Sequence, residues 1–196
     1  MGNNNLTVTG AAGATSGIVG NAVVWGGGVG SAGKATTTGV GLSTTSYSMG
    51  CWFRRTAISA QCILLDWSNT VNKVGFDFVV LSANLALRKS ANGSLAVDQI
   101  ASVSTNDTNW HFAIAWVDTA ANTINIQIDD GVIASTTLGV STTFVGGTLS
   151  MGNSIAYNAP ANKAFMDQAF YYNRALSAIE RTALYNSGAG RSFASL

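Results

Sequence analysis

The chain has 196 residues, 47% of them hydrophobic and only 10% charged, with a formal net charge of +1. That combination supplies a sizeable core and excludes intrinsic disorder, which needs low hydrophobicity together with high net charge. The 10 basic residues are scattered as Lys34, Arg54, Arg55, Lys73, Arg88, Lys89, Lys163, Arg174, Arg181 and Arg191, so no stripe can neutralise many phosphates together and nucleic acid is not an expected partner.

No apolar run approaches the ~20 residues that span a bilayer, so membrane insertion is not expected. The opening MGNNNLTVTG has neither a basic n-region nor an apolar h-region, and Leu6 stands where a myristoylation signal needs Ser or Thr. No signal peptide is therefore expected in this chain. The length fits one domain over residues 1–196, since a sandwich of this size need not split.

Taken in chain order, period-2 runs bounded by Gly, Asn, Ser and Thr recur from end to end, the pattern of a many-stranded antiparallel sandwich. The glycine cluster from Gly26 to Gly33 lacks the Gly-Lys-Ser/Thr ending of a phosphate loop and reads as a surface loop. In the segment from Tyr47 to Phe53, the residues Tyr47, Met49, Cys51 and Phe53 fall on one face. Cys51 and Cys62 lie on what read as adjacent strands. A disulfide between them needs a register that brings their Cα atoms within about 7 Å, and two buried thiols are the simpler reading.

Phe76, Phe78 and Val80 share a face in the run from Val74 to Leu81. Ile124, Ile126 and Ile128 alternate with Asn125 and Gln127 as a half-buried strand. Asp129-Asp130-Gly131 then leads into Val132-Ile133-Ala134, with Asp-Gly as the hairpin signal of a type I′ turn. Near the end, Ser177-Ala178-Ile179-Glu180 has capping-box spacing. Ile179, Ala183 and Leu184 then share a helical face, and Gly188 is placed to end the helix. Glu180 is the only glutamate of the chain and reads as a cap.

These segments together resemble a laminin-G-like domain of the concanavalin A-like lectin/glucanase superfamily. The likeness is carried by Gly20-Asn21-Ala22-Val23-Val24-Trp25, by Tyr47 to Arg54, and by Asn109-Trp110-His111-Phe112-Ala113. It continues through Ile126 to Gly131 and closes with Phe165 to Ser177 and the helix reaching Leu184-Tyr185-Asn186. It spans roughly residues 17–188 in family order. The resemblance implies an all-β, two-sheet antiparallel jelly-roll sandwich with one short C-terminal helix. It also implies roles from sugar binding and protein binding to adhesion, between which fold does not choose.

Some members of that superfamily cleave polysaccharides, which in the retaining case takes two carboxyl groups about 5–5.5 Å apart. Here no strand carries two carboxylates at period-2 spacing and the one Glu is a helix cap, so no enzyme is expected and no catalytic residue is named. His111, the only histidine, stands mid-strand where the family pattern also has one, and reads as a structural hydrogen-bonding residue. The resemblance further implies a Ca²⁺ site, for which Asp167 stands at the late Asp position. The early partner Asp is absent, so Asn3 to Asn5 would have to substitute.

A sugar site needs an exposed aromatic platform beside amide or carboxylate groups. Trp67 with Asp66, Asn69 and Asn72 is one candidate edge, with sandwich core as the competing reading for Trp67. Tyr157 with Asn153, Asn158 and Asn162 is the other. The sequons at Asn5, Asn92 and Asn106 would matter only in a eukaryotic secretory setting. The expected role is a non-enzymatic binding protein displayed on a virion or extracellular surface, as a phage decoration or adhesion protein. Its partner would be a capsid-like protein surface or a glycan, with self-association into a homo-oligomer left open. A carbohydrate-binding module, Ca²⁺-dependent or not, is the alternative.

Overall fold

In the computed structural model, residues 7–9, 12–25, 33–38, 46–58, 62–68, 75–81, 84–90, 97–138, 147–153 and 164–191 are described. Among the described residues, fourteen strands run β1 Thr7–Thr9, β2 Ala12–Ser16, β3 Asn21–Trp25, β4 Lys34–Thr38, β5 Tyr47–Arg55, β6 Cys62–Ser68 and β7 Gly75–Leu81. They continue as β8 Asn84–Ser90, β9 Val97–Ser104, β10 His111–Asp118, β11 Thr123–Ile128, β12 Ala134–Thr137, β13 Thr148–Met151 and β14 Ala164–Tyr172, before helix α1 Ala178–Tyr185. The first sheet has the order β1-β4-β13-β6-β7-β8-β9 and the second β12-β11-β10-β5-β14-β3-β2. Every strand pairing among the described residues is antiparallel. The expected two-sheet all-β sandwich with one short C-terminal helix is therefore the observed architecture.

Alternation explains which side chains fill the space between the sheets. Tyr47, Met49, Cys51 and Phe53 project inward from β5, and Ile124 and Ile126 from β11, all at most 2% exposed. Phe76, Phe78 and Val80 meet them from β7, with Leu85 and Leu87 from β8. Burying each large apolar side chain contributes about 1.5–3 kcal/mol before entropy is counted. The next inward position of β5 is Arg55, at the end of the sandwich. It is 2% exposed and donates to the carbonyl oxygens of Ile58 (2.6 Å), Thr105 (2.6 Å) and Asp107 (3.1 Å). Arg55 thus closes that end of the core and ties the loop before β10 to it.

Several expectations are corrected. Cys51 and Cys62 lie in different sheets, because the chain crosses from the second sheet to the first between β5 and β6. Both are free, buried thiols, and burial pushes Cys51 well up and Cys62 up to about 12. The hairpin turn is centred one residue earlier than Asp130-Gly131: Asp129 (φ 51°) and Asp130 (φ 57°) take the left-handed positions, closed by Gly131 N–H donating to Ile128 O at 2.8 Å. Aspartate tolerates that conformation, and the shift lets Asp129 reach β10. The following strand consequently starts at Ala134, leaving Val132 87% and Ile133 41% exposed.

The capping box of α1 forms as expected: Ser177 Oγ accepts from Glu180 N–H, and Glu180 Oε2 accepts from Ser177 N–H at 2.9 Å. The left-handed cap is Asn186 (φ 49°), however, and Gly188 lies in the 3₁₀ turn beyond it. Leu184 packs inward, whereas Ile179 is 82% exposed, because the helix is turned so that Arg181, not Ile179, faces the sheet.

Candidate functional site

The outer face of the second sheet has a covered half and an open half, and strand parity decides which residues belong to each. Trp52 of β5, Phe112, Ile114 and Trp116 of β10, and Phe170 of β14 form a second apolar cluster with Leu176 and Leu184 under α1. Arg181 pins the helix there. Its guanidinium lies 4.1 Å from the Trp116 ring centroid, with Nε donating to Gln127 Oε1 at 3.0 Å and Nη1 to Leu176 O at 2.8 Å. Glu180 holds Arg174 through both carboxylate oxygens, at 2.6 and 2.8 Å.

Two residues further along each strand, with the same outward parity, stands a half-buried row at the margin of this cluster, against which its Trp110 still packs. Trp52 gives Arg54, Phe112 gives Trp110, and Asp167 gives Phe165. Arg54 pairs in register with Phe165, which pairs with Val24. Trp110 stands one position before the His111–Phe53 pair. The Arg54 guanidinium carbon sits 4.4 Å from the Phe165 ring centroid and 5.4 Å from that of Trp110, so the cation is held between two aromatic side chains. All three residues are half-buried.

Arg54 Nε is buried and has no hydrogen-bond partner among the described residues. Arg54 and Trp110 are both half-buried, and neither the Arg54 Nη groups nor the Trp110 indole N–H is among the fully buried unpartnered atoms. The carboxylate of the neighbouring loop is engaged elsewhere: Asp107 Oδ1 accepts from Asn109 N–H (2.7 Å) and meets His111 Nε2 (2.8 Å). The Asn109 N–H bond, with the His111 bond second, holds the Asp107 carboxyl below its ordinary range. His111 lies between Asp107 and Asp129, the structural role expected of it. The row therefore brings together one cation, two half-buried aromatic rings and an indole donor at the edge of the covered cluster.

None of the described residues singled out from sequence belongs to this row. Trp67 is 1% exposed in the core between Leu149 and Phe76 of the neighbouring strands, and offers no platform. Its ring fills the place a Gly147 side chain would need. Asp66, also buried, accepts from Ser68 Oγ at 2.6 Å. Asn69, Tyr157 and Asn158 lie outside the described residues. Asp167 is 7% exposed and its Oδ2 accepts the Val19 N–H at 2.8 Å, tucked against Gly17, whose lack of a side chain makes the approach feasible.

For calcium, Asp167 stands as one carboxylate already committed to backbone, and no group of three or more His, Cys, Asp or Glu side chains gathers among the described residues. The described side chains do not supply a hard-cation donor set there. Other described carboxylates are likewise in structural bonds: Asp118 receives the N–H groups of Ala120 and Ala121, and Asp130 receives Thr182 Oγ1. Sequence reasoning missed Arg54, Trp110 and Phe165 as a unit. Their shared outward parity was visible, but their juxtaposition depends on cross-strand register.

The fold is shared by solved binding domains. The binding domain of botulinum neurotoxin DC in complex with rat synaptotagmin II matches at TM-score 0.72 and 14% identity, covering 93% of this chain and 46% of that one. The same toxin's binding domain in complex with SialylT matches at 0.74 and 16%, covering 93% and 46%. A botulinum neurotoxin type C structure, described with cell entry dependent upon interaction with two ganglioside molecules, matches at 0.72 and 15%, again covering 93% and 46%. The chain thus spans less than half of each of these proteins. No curated protein matches it. Residues 28–180 match the Laminin_G_3 family, and the chain belongs to that family of the Concanavalin A-like lectin/glucanases superfamily.

Proposed function

We propose that this chain is a non-catalytic binding domain displayed on an extracellular or particle surface, and that its ligand is a glycan. The observation that carries the reading is the Trp110–Arg54–Phe165 row: two half-buried aromatic rings flanking a cation with an unsatisfied donor, on a strand scaffold, suit the apolar surface and hydroxyls of a sugar. The described carboxylates point the same way, since Asp66, Asp107, Asp118, Asp129, Asp130, Asp167 and Glu180 bond to backbone, hydroxyl, imidazole or guanidinium groups rather than pairing as acid and nucleophile. Similar domains solved with a sialylated ligand, or described with gangliosides, add support at the level of fold. Glycan-array binding, with and without Ca²⁺, tests this. Discrete hits weakened by Trp110→Ala, with no cleavage of the bound glycan, are expected. A blank array in both conditions, or turnover of a bound glycan, would end the proposal.

One observation favours a second reading, decoration of a virion or other particle through a protein contact. Asp130 joins the β11–β12 turn, which carries exposed Val132 and Ile133, to α1, which carries exposed Ile179, by accepting Thr182 Oγ1 at 3.0 Å. Co-sedimentation with particles, lost in Val132→Asp/Ile179→Asp, is the expected result. A protein that stays in the supernatant in every preparation would remove this reading.

A further inference from the structure

We propose that the Trp110–Arg54–Phe165 row is a subsite for a carboxylate-bearing sugar residue, such as a uronic or sialic acid; this rests on the glycan-binding reading and names the ligand class of that same site. The feature that asks for a ligand is the state of Arg54. Arg55 donates to backbone carbonyls, Arg174 grips Glu180, and Arg181 bonds Gln127 and Leu176. Arg54 makes no ion pair and no hydrogen bond among the described residues, although its Nε is buried. A guanidinium that has given up water on one side and gained no acceptor holds unused bonding capacity.

Its surroundings say which acceptor fits. The planar group is fixed between the Phe165 ring at 4.4 Å and the Trp110 ring at 5.4 Å, so little rotamer freedom remains to be lost when a carboxylate docks on its Nη pair. The rings displace water from its flanks, which strengthens the attraction between opposite charges there. Neighbouring strands lie about 4.8 Å apart, so each ring edge stands about one sugar width from the cation. A pyranose that sets its carboxylate on Arg54 can therefore pack against the flanking rings and bring a hydroxyl near the Trp110 N–H.

A single cation between two rings matches one carboxylate on one apolar-faced ring. A nucleic acid or an acidic peptide asks for a run of cations, and the Lys and Arg residues of this chain are scattered. The nearest-lying loop carboxylate offers no internal substitute, because Asp107 is held by Asn109 N–H and His111.

The test is titration calorimetry on the whole chain with matched pairs: 3′-sialyllactose against lactose, and trigalacturonate against galactotriose. At least one acidic member should bind about 10- to 100-fold tighter than its neutral partner, the range of one charge-assisted pair. Arg54→Gln should erase that difference, and Arg54→Lys, which keeps the charge without the planar fork, should retain part of it, both at an unchanged melting temperature. If Arg54→Gln fails to fold, the Lys variant alone decides: a reduced preference supports the subsite, and a full preference overturns it. Equal binding of acidic and neutral sugars would overturn the acidic subsite and leave glycan binding standing. Binding of poly-glutamate as tight as that of the acidic sugars, lost with Arg54, would replace it with a peptide site. No binding to any sugar here, together with a blank array, would bring down both.

Discussion

His111 Nδ1 lies 2.5 Å from Asp129 Oδ2, while the other oxygen of that carboxylate accepts the Phe112 N–H at 2.7 Å. One turn residue with a left-handed backbone thereby fastens the β11–β12 corner to the start of β10, beside the row. With Asp107 on Nε2 at 2.8 Å, both ring nitrogens face carboxylates, and both can bond fully only when each carries a proton. The Asp129 bond raises His111 above its ordinary range, burial opposes this, and the Asp107 bond adds to it.

The sign of the pH dependence follows. A group whose pKa is raised on folding gives its full stabilisation below its unfolded value, about 6.5 for histidine, and loses it as pH rises through the folded value. Melting temperature should therefore fall as pH rises above about 6.5, and His111→Gln should flatten that fall. Asp129→Asn should flatten it too, since Asn tolerates the same backbone and can still accept from Phe112 N–H. Loss persisting above about pH 8.5 in these variants belongs to Cys51 and Cys62, whose burial raises them. Asp107 acts oppositely: its lowered carboxyl contributes above about pH 4 and is lost on acidification. An unchanged slope between pH 6.5 and 8 in both variants would contradict the clamp.

Arg55→Met should cost about 2–4 kcal/mol in urea unfolding, because carbonyls of Ile58, Thr105 and Asp107 lose a buried charged donor. Amide exchange should quicken most over residues 105–110, the loop this guanidinium anchors. Uniform quickening across the sandwich would mean that the anchor is not local.

Gly50→Ala should destabilise by about 1–3 kcal/mol or more, measured in the same way. A Cβ there would lie 2.5 Å from both Ala113 O and Phe170 Cζ. The Phe170 ring is laid over Gly50 by the irregularity in β14 between Asp167 and Phe170, where Gln168 has φ 47°. The backbone oxygen cannot move aside as a side chain could. A neutral result would show that β5 and β10 separate more easily than their pairing implies.

Arg181→Ala should loosen α1 without melting the sandwich, costing about 1–3 kcal/mol through lost bonds to Gln127 and Leu176 and lost cover on Trp116. A shift in Trp116 fluorescence with retained strand signal in circular dichroism is the expected pairing of observations.

What sequence made legible was whatever depends on one strand or one helix end. Tyr47, Met49, Cys51 and Phe53 alternate into the core as read, and the Ser177–Glu180 box forms as read. What it hid depends on the second partner. Residues 62–68 of β6 are all buried, so alternation could not tell whether Trp67 met solvent or the other sheet. The separation of Cys51 from Cys62 and the meeting of Arg54 with Trp110 and Phe165 both require the order of strands across a sheet, which local pattern does not encode.

The central claim, that the open row of the second sheet binds a glycan, is tested most directly by the indole N–H resonances of the 5 tryptophans during titration with array-positive sugars. Trp25, Trp52, Trp67 and Trp116 are at most 6% exposed, and Trp110 is the half-buried one at the row. Saturable movement of the Trp110 signal while Trp67 stays still is the predicted result. Saturable binding that leaves Trp110 unmoved would contradict the account.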